Sequence, residues 1–234
     1  MKYLWVLVGL LFISSISRAE MRIWTSVKGD TVEAEFKAIV SGRVILHRAD
    51  GKELKVPMKG LCAADIKYLE TKIPPEIDID VSVDKDKTNL ESYSGYSTSY
   101  EREEIKIKCE VTVTKKSREK SSMPLKACIY VFSSDSRSKD IKVLSRTEKE
   151  FTFEGSEELV FSSDAAKFQN SEYSGYYGGS EYGEEYEGYI AYVENDAEEM
   201  IAVRGSSKSF ERNIERIKSF KVDDRFDDDY DIIK

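Results

Sequence analysis

The residues most able to do chemistry in this chain are few and scattered. His47 is the one histidine among 234 residues, and a histidine that acts as a catalytic base needs a nucleophile to activate. The sequence has neither a Gly-x-Ser-x-Gly turn nor a cysteine and histidine signature to accompany it. The pattern therefore predicts no catalytic centre, and no cofactor is expected.

The three cysteines are Cys62, Cys109 and Cys128. An odd number allows at most one disulfide within the chain. Cys109 and Cys128 are the better pair, because both lie in strand-like runs of the same predicted domain. Without a Cys-x-x-Cys pair and with a single histidine, the sequence predicts no metal site.

A run of aspartates, Asp227-Asp228-Asp229, is a second place to look for a metal. A calcium loop of the EF-hand type needs ligands at alternating positions, a central glycine and a closing glutamate, and that arrangement is missing. Residues 223–231 hold six aspartates against Arg225. We therefore expect residues 223–234 to be an acidic, disordered tail.

Positive charge concentrates near an Asp50-Gly51 turn. Residues 22–70 hold nine Lys or Arg and seven Asp or Glu, although the whole chain has a formal charge of −8. This contrast allows an acidic peptide, or the acidic tail of this chain, to dock there, while a plain solvated surface is the alternative. Trp24 could stack against a ligand, although an early-strand tryptophan in a small domain is more often buried. The candidate binding residues are Trp24, Arg43, His47, Arg48, Lys52 and Lys55.

Two segments, Ser92–Tyr100 and Ser171–Tyr189, consist mainly of Tyr, Ser, Gly and Glu. They have too few aliphatic residues to build a core, so we expect long, mobile loops between strands. Tyr with Ser and Gly is also the composition of adaptable binding loops. A low-complexity insertion and a binding loop both fit.

The first 19 residues resemble a cleaved signal peptide. Lys2 precedes an uncharged apolar run, Tyr3–Ile13, which ends at Ser17-Arg18-Ala19. The run is shorter than the ~20 residues that span a bilayer. The mature protein should begin at Glu20 and be periplasmic or secreted.

Removal of Lys2 and Arg18 with the signal peptide changes the formal charge from −8 to −10. So acidic a protein would be repelled by nucleic-acid phosphates and by anionic lipids. We expect a protein or peptide partner, no nucleic acid, and no stable membrane insertion after signal cleavage.

Residues 20–72 alternate as short strands with tight turns and end in a short helix. This pattern predicts a small barrel. Its expected strands are Arg22–Ser26, Thr31–Val40, Arg43–Arg48 and Lys52–Val56, and the helix contains Leu61, Ala64, Ile66 and Leu69.

Residues 73–76 contain Pro74 and Pro75 and are the predicted linker. Residues 77–222 then carry roughly seven or eight alternating runs, typical of an immunoglobulin-like or fibronectin-III-like β-sandwich. Phe210, Ile214 and Ile217 predict a short amphipathic helix packed across one end of the sandwich. The fold class is all-β.

The chain also contains, in order, Arg22-Ile23-Trp24-Thr25-Ser26, Val32-Glu33-Ala34-Glu35-Phe36, Val44-Ile45-Leu46, Asp50-Gly51-Lys52, Val56-Pro57 and Leu61-Cys62-Ala63-Ala64-Asp65. This series resembles the Sla homology domain, an SH3-like barrel of an endocytic adaptor that is also found in exported bacterial proteins. The resemblance implies a protein-binding module. Where the family commonly has a helix-capping serine, this chain has Cys62, a poor acceptor.

The sequence therefore predicts an exported, non-enzymatic protein whose barrel binds a protein segment and whose sandwich is a scaffold. The alternative is a carbohydrate-binding or hydrolytic sandwich with an acidic site that the sequence does not reveal. An enzyme of that kind should bring two acids together in a pocket and raise the pKa of one of them.

Overall fold

The computed structural model describes residues 20–117 and 120–233. The predicted signal peptide lies outside the described residues. The chain divides into two compact units between Leu69 and Glu70.

The first unit is a four-stranded antiparallel meander in which each strand pairs with the next. Alternate side chains point inward, as the sequence pattern predicts, and Trp24, Ala34, Val44 and Leu46 are fully buried. Glycines with positive φ, Gly42 and Gly51, form the two tight turns. The strands are β1 (Met21–Thr25), β2 (Thr31–Val40), β3 (Arg43–Arg48) and β4 (Glu53–Pro57).

The meander closes through the segment that follows β4. Leu61 pairs with Ser26 just beyond the end of β1. The Cys62 N–H donates to the Thr25 carbonyl at 2.8 Å, and the Val27 N–H donates to the Gly60 carbonyl at 2.9 Å. The helix α1 (Ala63–Glu70) follows and buries Leu69. The predicted order of strands and helix is present.

The second unit has nine strands connected in one hydrogen-bonded sheet. Two long hairpins dominate it, β5 with β6 and β10 with β11, and β6 pairs with β10. The strands are β5 (Ile77–Ser94), β6 (Thr98–Lys115), β7 (Leu125–Asp135), β8 (Ile141–Phe151), β9 (Glu158–Ser162), β10 (Ala166–Gly175), β11 (Gly178–Asn195), β12 (Met200–Gly205) and β13 (Arg225–Phe226).

The sheet folds over into two layers because β11 belongs to both. Its first part pairs with β10, and its second part pairs with β7 and β12. Ile107 and Val111 of β6 therefore share one hydrophobic core with Ile129 and Val131 of β7, a strand with which β6 forms no ladder. The all-β prediction is confirmed. The structure differs from the expected immunoglobulin-like pattern of two separate sheets, since one strand joins the layers.

Strand β7 is buried on both faces. Ile129 and Val131 face the core between the layers, whereas Tyr130 and Phe132 face a second core. This second core is covered by α2 (Lys208–Arg212), α3 (Ile214–Ile217) and the chain that follows them. The predicted amphipathic helix is present as these two short helices, and it covers a face of the sheet.

The prediction of a disordered acidic tail is wrong. Arg225 and Phe226 pair with β8, and Phe226 and Tyr230 are buried. The Asp227 carboxylate accepts the N–H groups of Asp229 and Asp231 in a local turn. The prediction considered only the aspartates. Burial of the aromatic side chains of Phe226 and Tyr230 stabilises the segment by more than the aspartate charges destabilise it.

The prediction of two mobile loops is also wrong. Residues 92–94 and 98–100 extend β5 and β6, and residues 171–175 and 178–189 extend β10 and β11. Tyr and Thr favour strands, and four strands side by side satisfy one another's backbone groups where no core is available.

The predicted linker is packed against the second unit. Pro75 is buried, the Ser121 hydroxyl donates to the Ile73 carbonyl at 3.2 Å, and the Lys116 N–H donates to the Glu76 carbonyl at 2.8 Å. The two prolines therefore belong to the second unit, which begins at Glu70.

All three cysteines are free. Cys109 lies in the core between the layers, and Cys128 lies on the other face of β7, in the second core. The expected pairing of these two is wrong, because alternate side chains of a strand point to opposite faces. Burial raises the pKa of the Cys109 thiol to about 11, and burial is also the main cause of the same value at Cys128.

Strand β5 is the terminal strand of the sheet. Ile79 and Val81 face the core. Four of the five even-numbered residues from 78 to 86, which lie on the outer face, are acidic, namely Asp78, Asp80, Asp84 and Asp86, and the fifth is Ser82.

Replacement of Phe226 by alanine tests whether the C-terminal segment belongs to the fold. Phe226 packs against Phe132, Phe220 and Tyr230, so its loss should lower the free energy of unfolding by about 3 to 5 kcal/mol. Urea unfolding of residues 20–234 followed by circular dichroism measures it.

The exposed Val222→Ala is the matched control and should cost less than about 0.5 kcal/mol. Fluorescence of Trp24, the only tryptophan of residues 20–234, should show unchanged unfolding of the first unit. Equal stability of Phe226→Ala and the parent protein would contradict the packing of this segment.

Candidate functional site on the small barrel

Three of the five predicted cationic residues lie together on the outer face of the first unit. Arg43 and His47 of β3 and Lys55 of β4 point away from the core, and Glu53 lies among them. We call these four residues the hairpin face. Arg48 shares the inner face with Leu46, and its exposed end lies 3.4 Å from Asp50. Lys52 lies in the turn between β3 and β4.

Trp24 is not part of this surface, so its assignment as a binding residue is corrected. Its side chain is 1% exposed, and its indole N–H donates to the Ala34 carbonyl at 2.9 Å. Its ring packs edge-on against Tyr68 and tilted against Phe36. Trp24 therefore fills the core of the barrel.

His47 stands in a row across the sheet with a glutamate on each side. Glu35 is its neighbour on β2 and Glu53 its neighbour on β4, and His47 Nε2 lies 3.4 Å from Glu53 Oε2. Hydrogen bonds from Lys55 and then from His47 lower the pKa of Glu53. Arg43 and Lys52 form no ion pair with any described carboxylate. They are the cations of this region with charge to spare for a partner.

Apolar side chains share the outer face with these charges. Ile23 of β1 is 64% exposed, and Met21 and Val40 are exposed as well. Val40 lies directly opposite Arg43 in the ladder. This face combines apolar area with unpaired positive charge, as protein-binding surfaces do.

Asp65 is a buried carboxylate on which the barrel closes, a role that the sequence did not reveal. It accepts the Thr25 N–H at 2.6 Å, and Arg22 Nε and Nη2 at 3.2 and 2.9 Å. Burial alone would raise the pKa of Asp65, but these bonds to Thr25 and Arg22 outweigh it and hold the pKa below its usual value.

The same carboxylate resolves the start of α1. The Cys62 thiol lies 3.4 Å from Asp65 Oδ2 as a donor, while the Cys62 carbonyl accepts the N–H groups of Asp65 and Ile66. The position that the family commonly fills with serine thus donates to the acid.

Arg22 connects this carboxylate to the aromatic core. Its guanidinium lies 4.2 Å from the centroid of the Tyr68 ring and 5.8 Å from that of Trp24. A signal for the pair was present in the sequence, because Arg22 shares a strand face with the buried Trp24. A cation at the margin of a core needs an anion.

A comparison with family models decides what this barrel is. Residues 15–74 match the model described as SLA1 homology domain 1. The barrel is a Sla homology domain. The resemblance seen in the sequence is confirmed for this part of the chain, and such a domain in a β-rich chain suggests a protein-interaction module.

No curated protein matches the chain significantly. Among solved structures, a crystal structure from Akkermansia muciniphila is similar at 14% identity, covering 63% of this chain and 78% of that one with a TM-score of 0.22.

No enzyme family is indicated beside the Sla homology domain. Glu194 of the second unit is buried between Lys126 Nζ at 2.6 Å and Lys218 Nζ at 2.7 Å. Its burial favours a higher pKa, but the hydrogen bonds from the two lysines outweigh this, and the pKa is lowered. Asp65 and Glu194, the two buried acids of the described residues, are thus the opposite of a glycosidase general acid, whose pKa is raised.

Residues 20–117 and 120–233 contain no group of three His, Cys, Asp or Glu side chains that could hold a metal ion. No helix of that part of the chain is long and apolar enough to cross a bilayer.

Replacement of Asp65 by asparagine should destabilise the Sla homology domain by about 3 kcal/mol at pH 7, because Arg22 loses its anion. A carboxyl with a lowered pKa stabilises the fold fully above its ordinary pKa of 3.8, and this stability is lost as the pH falls through the folded-state pKa. The gap between parent and variant should therefore narrow below pH 3.8. Urea unfolding followed by Trp24 fluorescence measures both effects.

The exposed Asp50→Asn serves as the control, since Asp50 holds one surface ion pair with Arg48 and should contribute less than about 1 kcal/mol. A gap between Asp65→Asn and the parent that stays constant from pH 7 to pH 3 would refute the role given to this carboxylate.

Proposed function

We propose that this chain is an exported, non-enzymatic binding protein of the periplasm or cell exterior. The Sla homology domain contacts a segment of another protein through the hairpin face and Lys52. The second unit serves as the scaffold. The match to SLA1 homology domain 1, a binding-type family, supports the binding role that we propose for the barrel.

The observation that carries the proposal is the open outer face of the barrel sheet. The inner face packs around Trp24, whereas Ile23, Met21 and Val40 remain exposed on the outer one. In the isolated domain these apolar side chains stay in contact with water. A partner that covers them would bury their apolar area.

The chemistry of the partner follows from the charges. Arg43 and Lys52 carry no ion pair with a described acid, and the domain as a whole has two more cations than acids across residues 22–70. The partner that fits is a segment with carboxylates beside apolar side chains.

Export is supported by the arrangement of residues 1–19, where a cation precedes a short apolar run and a small-residue end. Protein recovered from the periplasmic fraction of expressing cells should begin at Glu20 when its N-terminus is sequenced. That material is also the bait for the binding experiment.

Binding is tested with residues 20–234 against a displayed library of twelve-residue peptides. Selected peptides should be rich in Asp and Glu, and the double variant Arg43→Glu with Lys52→Glu should bind them about tenfold more weakly at low salt. Fluorescence anisotropy of labelled peptides measures the affinity.

The matched control places the same charge changes elsewhere on the domain, at the exposed Lys59 and Lys67, both to glutamate. It should bind as the parent does. Selected peptides without acidic enrichment, or an equal loss in both double variants, would exclude the hairpin face as the binding surface.

A further inference from the structure

The extended ends of the two long hairpins carry a row of tyrosines. Tyr93 of β5 lies opposite Tyr100 of β6, and Tyr100 lies opposite Tyr173 of β10. Directly opposite residues point to the same face of a sheet, and neighbouring strands are about 4.8 Å apart. Three tyrosines on adjacent strands, the tyrosine row, therefore form a continuous strip on the outer face.

The rings of the row lie down along the sheet. The Tyr93 hydroxyl lies 2.8 Å from the place where a side-chain carbon on Gly95 would be, and the Tyr173 ring lies 3.3 Å from the same place on Gly175. A side chain on Gly95 would displace the Tyr93 ring, and one on Gly175 would crowd the Tyr173 ring. Tyr93 remains 64% and Tyr173 41% exposed, so ring area is open to a ligand.

The neighbouring row supplies groups with fixed hydrogen bonds. Arg102 donates to Gln169 Oε1 at 2.6 and 3.2 Å and lies 3.8 Å from Glu91. The hydroxyl of Tyr100 lies 3.5 Å from that of Ser171. Arg102 is therefore held against its own partners and leaves the rings uncovered.

The charge around the tyrosine row is negative. Residues 91–103 and 170–183, which form the hairpin ends, hold five acids and one cation, Arg102. Arg137 adds a second cation at Tyr182, so acids still outnumber cations there. Glu101, Glu172 and Glu181 lie side by side on the reverse face, and none of them forms an ion pair with a described cation. Their field acts across the thin sheet, since charges are felt over roughly 8 to 10 Å in physiological salt. A cationic ligand is therefore attracted to either face.

The protein already uses its tyrosines in this way. The Arg137 guanidinium lies 4.1 Å from the ring centroid of Tyr182, the tyrosine next to the row on β11. Arg22 takes the same position over Tyr68 at 4.2 Å, with Asp65 as its anion. Arg146 lies over Tyr130 at 5.3 Å and pairs with Glu148. A guanidinium over a tyrosine face is thus a contact that the described residues form three times, and in two of the three the guanidinium also pairs with an acid.

We propose that the tyrosine row binds an arginine-bearing segment of another protein, with guanidinium groups stacked on Tyr93 and Tyr173 and the acidic hairpin ends supplying the attraction. This site lies in the second unit and adds a binding surface to what was proposed above only as a scaffold. It is independent of the hairpin face of the Sla homology domain.

The test uses residues 20–234 and a fluorescein-labelled ten-residue peptide of alternating Arg and Gly. The parent protein should bind it, and Tyr93→Ala with Tyr173→Ala should weaken binding about five- to thirtyfold through the loss of two stacked contacts. This variant keeps every charge, so attraction by charge alone predicts no loss. Tyr93→Phe with Tyr173→Phe keeps the ring faces and should bind as the parent does.

Tyr96→Ala with Tyr176→Ala removes two exposed tyrosines outside the row and is the matched control, with unchanged binding expected. Circular dichroism checks that each variant is folded. The same peptide with citrulline in place of arginine should not bind.

Equal binding by the parent protein and the Tyr93→Ala, Tyr173→Ala variant would overturn the proposal, and so would equal loss in the control. Binding of cellohexaose or maltohexaose without binding of the arginine peptide would overturn it in favour of a carbohydrate ligand.

Discussion

Closure of the barrel depends on a single buried carboxylate. Asp65 holds the end of β1 through the Thr25 N–H, the start of α1 through Cys62, and the guanidinium of Arg22. The four strands alone form an open meander, and the segment after β4 must return to β1 to cover the core around Trp24. The helix and the returning segment cover the inner face of the sheet. The outer face, which carries Arg43, remains exposed to solvent.

The second unit solves a comparable problem with aromatic packing. Strand β7 would expose Tyr130 and Phe132 if the fold ended with the two layers, and a segment about 80 residues further along the chain covers them. Phe226 and Tyr230 are anchored there, and Arg225 lies 3.1 Å from Glu184 of β11. The aspartates around them remain at the surface, where their charge costs little.

The sequence predicted the structure correctly where neighbouring residues in the chain determine the conformation. Alternating apolar residues predicted the strands of the barrel, and the Asp50-Gly51 pair predicted its turn, because both patterns have local causes. The failures concern partners that lie far away in the sequence. Asp65 contacts Arg22 only after the chain has passed through four strands. The two tyrosine-rich segments form strands because the four strands that contain them, β5, β6, β10 and β11, lie side by side. The prediction for the acidic tail failed because it rested on the number of aspartates and did not consider the two aromatic rings, Phe226 and Tyr230.

The acidic outer face of β5 has a consequence for self-association. Consider two copies that pair along these edges about a two-fold axis perpendicular to the sheet. The two β5 strands would be antiparallel, and the outer faces of both sheets would lie on the same side. Residues of even number would then lie opposite residues of even number. In the register that places Asp84 opposite Asp86 of the other copy, Lys85 lies opposite Lys85, and in the next register Asp86 lies opposite Asp86 and Lys85 opposite Lys87. Like charges directly opposite destabilise a ladder. The alternation of charge along β5 therefore disfavours pairing of this edge with the same edge of a second copy in these registers, and it leaves the edge able to pair with a strand of different sequence.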